Sequence, residues 1–211
     1  MAKKSNKFIV TNKQAQWIAS AVAKNDSRPI LQRAAIAYYQ DHAVLVSTDT
    51  HRLHILYLKR VKEPFETFLL DIGRVVSEST RFGASRVEID LDKQAVTLLA
   101  SRVRIGSEQA PQSDSQFDNV LEPSNDRYPC FEKAIPSKLY PLSEFYAINW
   151  EYFRDACALS SGEHNGVMLR SGGGETPPIL IAPLVGWTWE AVVKPLKLVY
   201  QTAGSGKKET E

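Results

Sequence analysis

The residues able to do covalent or metal chemistry are few and badly spaced for it. The four histidines, His42, His51, His54 and His164, lack the paired spacings that bring imidazoles onto one metal ion. On a strand end, His51 and His54 point to opposite faces. Two cysteines, Cys130 and Cys157, make neither a disulfide framework nor a Cys-based zinc site. Gly204-Ser205-Gly206-Lys207-Lys208 has the residue types of a phosphate loop without its spacing or a following helix. Glu88 and Asp90 alternate along a strand and suit an exposed strand face. The expectation is a non-enzyme with no catalytic residue, no metal and no cofactor.

What remains is binding, and charge says where. Of 211 residues, 26 are Lys or Arg and 24 Asp or Glu. Residues 1–60 hold ten basic residues and only Asp26, Asp41 and Asp49 as acids, a local charge of +7. Such a region is either a solvated basic arm or an electrostatic approach to a polyanion. The apolar run Pro177–Val185 falls well short of the ~18 residues a bilayer span requires. No apolar signal core follows the basic start Met1–Lys7, so a soluble, cytoplasmic protein is expected.

The elements that must position any site follow a rhythm. Phe8–Val10 reads as a strand, Thr11 and Gln14 as a capping box, and Trp17, Ile18, Ala21 and Val22 as one face of a helix to about Lys24. Strands are expected at Leu31–Tyr39, Ala43–Thr48 and His51–Leu58. The pattern repeats with strand Phe68–Leu70, N-cap Asp71, a helix bearing Ile72, Val75 and Val76, and strands Val87–Leu91, Ala95–Ala100 and Arg102–Ile105. A third copy runs from strand Tyr146–Ile148 through an Asn149-capped helix with Trp150, Phe153 and Cys157. It ends in strands Val167–Leu169, Ile179–Ala182 and Trp187–Val193. Trp17, Trp150, Trp187 and Trp189 are expected in the core. The repeat is roughly 55 to 65 residues, one helix over part of a sheet, an α+β arrangement. Ser107–Arg127 reads as an extended loop, and Thr202–Glu211 as a disordered tail.

Three strings carry more than rhythm: Ser47–Leu53 (STDTHRL), Arg127–Pro136 (RYPCFEKAIP) and Val192–Leu198 (VVKPLKL). In order, they resemble the Thr-Asp-Gly-His-Arg-Leu, Phe-Pro-Asp-Tyr-x-x-Val-Ile-Pro and Val-Met-Pro-Met-Arg-Leu strings of bacterial DNA polymerase III beta-type sliding clamps. The resemblance implies the DNA-clamp fold, built from repeated strand–helix–strands half-domains. Residues 1–137 resemble a complete middle domain, residues 138–199 the second half of the third domain, and 200–211 a tail. The first domain and the first half of the third have no counterpart. Two chains would supply three complete domains if the odd halves pair across a two-fold axis, a homo-oligomer.

In that family the strings meet at one pocket for a short peptide. The resemblance places there Leu31, Thr48, Thr50, His51, Arg52 and Leu53, then Pro129, Lys133 and Ala134. Val192, Val193, Lys194, Pro195, Leu196, Lys197 and Leu198 complete it, with an apolar floor and Arg52, Lys133 and Lys197 as a polar rim. Thr50 stands where the family has glycine, so a positive φ there means strain. Lys194 and Leu196 replace methionines. For double-stranded DNA, met without sequence preference through a helix-lined face, the candidates are Lys13, Lys24, Arg28, Arg33 and Arg74, with Arg81 and Arg154 beside them.

The implied function is a sliding-clamp-like processivity factor whose partners are a DNA polymerase or other replication and repair proteins. The alternative is a regulator or decoy that binds clamp-interaction peptides without encircling DNA.

Overall fold

The computed structural model describes residues 6–100, 115–117, 120–124, 128–142, 147–160, 167–172, 177–184 and 188–195. The expectations for Arg102–Ile105, Trp187, Leu196–Leu198 and the tail lie outside the described residues.

The first unit is β1 (Lys7–Thr11), α1 (Asn12–Ser20), β2 (Ala34–Tyr39), β3 (His42–Thr48) and β4 (Arg52–Arg60). The capping box forms: the Thr11 hydroxyl accepts from the Gln14 amide at 3.2 Å, and the Gln14 side chain accepts from the Thr11 amide at 2.8 Å. The helix stops at Ser20, short of Lys24. There the Ser20 hydroxyl turns back to the Trp17 carbonyl, and the Ala23 amide is taken by Leu31 at 2.9 Å. Leu31 itself sits in a 3-10 turn, Pro29–Gln32, so the strand expected from Leu31 begins at Ala34. Gln40 and Asp41, at φ 46° and 62°, close the β2–β3 hairpin in two residues, as a type I′ turn does.

The second unit is β5 (Phe68–Leu70), α2 (Ile72–Arg81), β6 (Ala84–Asp90) and β7 (Ala95–Ala100), followed by β8 (Ser115–Phe117) and β9 (Leu121–Pro123). Asp71 caps α2 by accepting the Arg74 amide at 3.0 Å. β8 and β9 correct the reading of Ser107–Arg127 as an extended loop. At three residues each, they are too short to show a period, and their partners β7 and β5 define them.

The third unit is α3 (Trp150–Ala156), continued by a 3-10 turn to Leu159, then β10 (Val167–Ser171), β11 (Ile179–Pro183) and β12 (Trp189–Val193). Asn149 caps α3 through the Glu151 amide at 2.9 Å. Of the strand expected at Tyr146–Ile148, Ala147 makes an isolated β-bridge, Ile148 is irregular and Tyr146 lies outside the described residues. Trp150 is not in the core: it begins α3 on the outward side and is 67% exposed.

Among the described residues all pairing is antiparallel, in a four-stranded sheet β1-β6-β7-β8 and an eight-stranded sheet β10-β11-β12-β4-β3-β2-β5-β9. Units one and two exchange their opening strands, β1 pairing with β6 and β5 with β2. The larger core lies on the helix side, where Ile18, Ile36, Leu45, Leu56, Ile72, Ile89 and Ile179 are fully or almost fully buried. A second core covers the other face of the long sheet.

Candidate functional site

The three strings, far apart in the chain, meet at the seam between β4 and β12. Val192 lies opposite Leu53, Val193 opposite Arg52, and the Lys194 amide donates to the His51 carbonyl at 2.9 Å. The middle string arrives through the outer core, where Tyr128 and Phe131 pack in one cluster with Leu53, Val46, Leu180 and Val192. Strand alternation explains the placement: Leu53 and Ile55 face outward, while His54 and Leu56 face the helices.

Within the site the residues divide by exposure. His51, Lys133, Ala134 and Lys194 are exposed, and Thr48, Thr50, Pro129 and Pro195 are half-buried. Leu31, Leu53, Val192 and Val193 are at most 4% exposed, so Tyr128 and Phe131 already cover the expected apolar floor around Leu53 and Val192. Val193 belongs to the helix-side core. Leu196, Lys197 and Leu198 lie outside the described residues.

Arg52 does not stand on a rim. Opposite Val193, it turns to the helix side, where Nε meets Asp49 at 3.0 Å and a terminal nitrogen meets Asp155 of α3 at 2.7 Å. Its guanidinium carbon lies 4.5 Å from the centre of the Tyr152 ring. The residue expected to greet a ligand instead fastens unit three to the β3–β4 loop.

That loop holds the family's glycine position at φ +75°, occupied here by Thr50. A β-branched residue there stores roughly 1–3 kcal/mol of strain. Side chains hold it in place. The Thr48 hydroxyl donates to the Arg52 carbonyl and accepts the Thr50 amide, and the Asp49 carboxylate accepts the His51 and Arg52 amides at 3.0 Å.

Sequence reasoning missed two buried polar residues. His54 is fully buried and stacks on Trp17 at 4.3 Å, with Nδ1–H donating to the Trp17 carbonyl at 2.9 Å. The Ser47 hydroxyl donates to the Ile18 carbonyl at 2.6 Å. Together they add second partners to carbonyls in the last turn of α1, which the Ser20 hydroxyl and the Ala21 amide also reach. Burial lowers the His54 pKa to about 4, and its Nε2 has no hydrogen-bond partner. A histidine in an alternating strand gives no sign that a helix end will rest on it. On the outer face the Tyr128 hydroxyl is buried beside the backbone of Thr48 without a hydrogen bond of normal geometry; burial raises its pKa, partly offset by Thr48.

The basic candidates separate likewise. Lys13 on α1, Lys24 after it, Arg74 and Arg81 on α2 and Arg154 on α3 are exposed on or beside the helix layer. Glu78, 3.7 Å from Arg81, Glu151, and Asp155, 3.2 Å from Arg154, are acids among them. Arg28 is held by Asp26 through two bonds of 2.8 and 2.9 Å, and that partnership lowers the Asp26 pKa to about 2. Arg33 pairs with Glu122, which lies opposite the outward-facing Leu69, so it belongs to the face away from the helices.

One cleft lies apart from this site and another borders it. One of about 1150 Å³ is lined by Asp41, Lys59, Arg60, Lys62 and Phe65. The other, about 610 Å³, is lined by Tyr38, Phe65, Tyr128, Phe131 and the expected Pro129. Among the described residues, no group of three or more His, Cys, Asp or Glu side chains could hold a metal ion. Among those residues, too, no helix is long and apolar enough to cross a membrane.

The sequence matches no protein-family model and no curated protein. By fold the chain is similar to the DNA polymerase III subunit beta of Borrelia burgdorferi, with 15% identity and a TM-score of 0.61 over 94% of this chain and 66% of that one. The Helicobacter pylori beta clamp gives 13% and 0.62, over 94% and 68%. The DNA polymerase sliding clamp of Bacillus subtilis gives 14% and 0.60, over 94% and 67%. The fold is the sliding-clamp fold, and the chain spans about two thirds of the length of those clamps.

Proposed function

We propose that this chain is a cytoplasmic, non-enzymatic processivity protein of the sliding-clamp type, with a short-peptide site at the β4–β12 seam and a helix layer that meets double-stranded DNA. Residues 1–137 act as a full clamp-like domain and 138–199 as half of one. The observation that carries this reading is the meeting of the three strings at one seam. A peptide docking there meets His51, Lys133 and Lys194 at the edge and Pro129 and Pro195 between them. These side chains suit a polymerase or repair-protein segment with an apolar anchor and an acidic or polar flank. Across the sheet, Lys13, Lys24, Arg74, Arg81 and Arg154 outnumber Glu78, Glu151 and Asp155, the balance for backbone contacts that carry no sequence preference.

The test is titration of the full chain with a clamp-binding peptide from a bacterial replicative polymerase. Saturable binding on the order of 10 μM is expected, weakened several-fold by Lys194→Glu, whose side chain is exposed. No binding at about 1 mM would overturn the peptide site. In parallel, duplex DNA should bind with an affinity that falls steeply with salt and is reduced by Arg74→Glu. Peptide affinity without DNA binding would replace the processivity factor with the regulator or decoy.

A further inference from the structure

The loop between β3 and β4 is tied to itself before it is tied to anything else. The Asp49 carboxylate takes the His51 amide, the Arg52 amide and the Arg52 Nε, all at 3.0 Å. These bonds travel with the loop, so they give it shape but no fixed place. Place comes from unit three, at two points. The backbone supplies one, the Lys194 amide at the end of β12 donating to the His51 carbonyl at 2.9 Å. Side chains of α3 supply the other, where the Asp155 carboxylate meets Arg52 at 2.7 Å.

The surroundings of Asp155 suit that task. One carboxylate oxygen takes Arg52 and the other takes Arg154 at 3.2 Å. Arg154, Asp155, Arg52 and Asp49 thus alternate in sign along a run of four charges, and the Arg52 side chain, 9% exposed, is the most shielded of them. A charge-assisted bond shielded from water holds position better than a solvated surface pair. Tyr152, one turn earlier on α3, lies against both Arg52 and His51. Its ring centre is 4.5 Å from the Arg52 guanidinium carbon and 6.4 Å from the His51 ring, with the two rings 26° from parallel.

The loop needs holding. Thr50, a β-branched residue at φ +75°, relaxes as soon as the loop is let go. The residues that would move with it are His51 and, through the shared hydrogen bond, Lys194. Both are exposed, and both stand at the edge where a peptide would dock.

We propose that Asp155 and Tyr152 are positioning residues for that edge. Acting through Arg52 and His51, they hold the strained loop so that a docking peptide meets a preformed pair of His51 and Lys194. A preformed edge removes the ordering cost that binding would otherwise carry. This rests on the peptide site proposed above and deepens it: the site depends on the helix of unit three as well as on its last strand.

Hydrogen exchange in the free chain and titration with the polymerase peptide test the two levels separately. In Asp155→Asn the His51, Arg52 and Lys194 amides should exchange roughly tenfold faster, with the circular dichroism spectrum unchanged. Peptide affinity should fall about fivefold. Asp155→Glu, which keeps the carboxylate, should recover most of both losses. Glu151→Gln, at an exposed acid of the same helix, should alter neither. Tyr152→Leu should act in the same direction as Asp155→Asn, and it decides the matter where that variant fails to fold. Loop exchange and affinity unchanged in both variants overturn the proposal. A loss in Asp155→Asn that Asp155→Glu does not recover overturns it too, because the residue is then only packing. A native chain that binds no peptide overturns the peptide site, while exchange at the loop still decides whether Asp155 and Tyr152 hold it.

Discussion

The two faces of the long sheet are closed by different means. On the helix side, α1 lies across β3 and β4, and buried polar groups there are spent on holding it: Ser47 and His54 take its last-turn carbonyls. The indole of Trp17 donates to the Ala156 carbonyl of unit three at 3.2 Å. On the outer face the lid is the short segment 128–135, held by the packing of Tyr128, Phe131 and Ile135 on Leu53, Val46 and Val192. One face is pinned by directional bonds and the other covered by apolar contact. Directional bonds fix unit three relative to unit one, while apolar cover can shift when a competing apolar side chain arrives.

The comparison breaks most visibly at Trp17. Trp17→Ala removes a buried ring that stacks on His54, meets Trp189 edge-on at 5.5 Å and bonds across units. A loss of about 3–5 kcal/mol is expected in urea unfolding. Hydrogen exchange should show β12 loosening from β4; if only α1 loosens, Trp17 is local packing and does not pin the third unit.

Acid attacks the same face. The His54 pKa falls from 6.5 unfolded to about 4 folded, chiefly through burial, so the unfolded chain binds the proton first. This contribution to stability is complete above about pH 6.5, declines as pH falls and is lost below about pH 4, a change on the order of 3 kcal/mol. The urea midpoint against pH should show it, and His54→Phe should flatten the curve between those limits. A curve unchanged in the variant assigns the acid sensitivity to other groups.

The smallest effect belongs to the outer face. Tyr128→Phe removes a buried hydroxyl that makes no hydrogen bond of normal geometry and has only a weak interaction with the Thr48 backbone, so stability should hold or rise by up to about 1 kcal/mol. A clear loss would mean that the lid, too, is pinned by a directional bond.

Much of this was legible in the sequence because it is local. Thr11, Asp71 and Asn149 each cap the helix expected of them, since a cap needs only its own next few residues. Phe68–Leu70 is a strand to the residue. The meeting of the strings was legible only through resemblance, because nothing in Leu53 or Val192 states that they pair. What failed was set by distant partners. β8 and β9 exist through β7 and β5, α1 ends where Leu31 takes an amide, and Arg52 turns inward because Asp155 awaits it. Trp150 looked like core because the period of its helix shows which side is apolar, not whether anything lies against it.

The exchange of opening strands has a consequence in time. As the chain emerges from the ribosome, Lys7–Thr11 is made well before its ladder partner, Arg86–Asp90. Unit one therefore cannot finish folding alone. Its first strand waits, with Phe8 and Val10 uncovered, until most of unit two has been synthesised. The two units fold as one cooperative body, and a chain interrupted between residues 60 and 84 is left with an unsatisfied strand rather than a smaller stable domain.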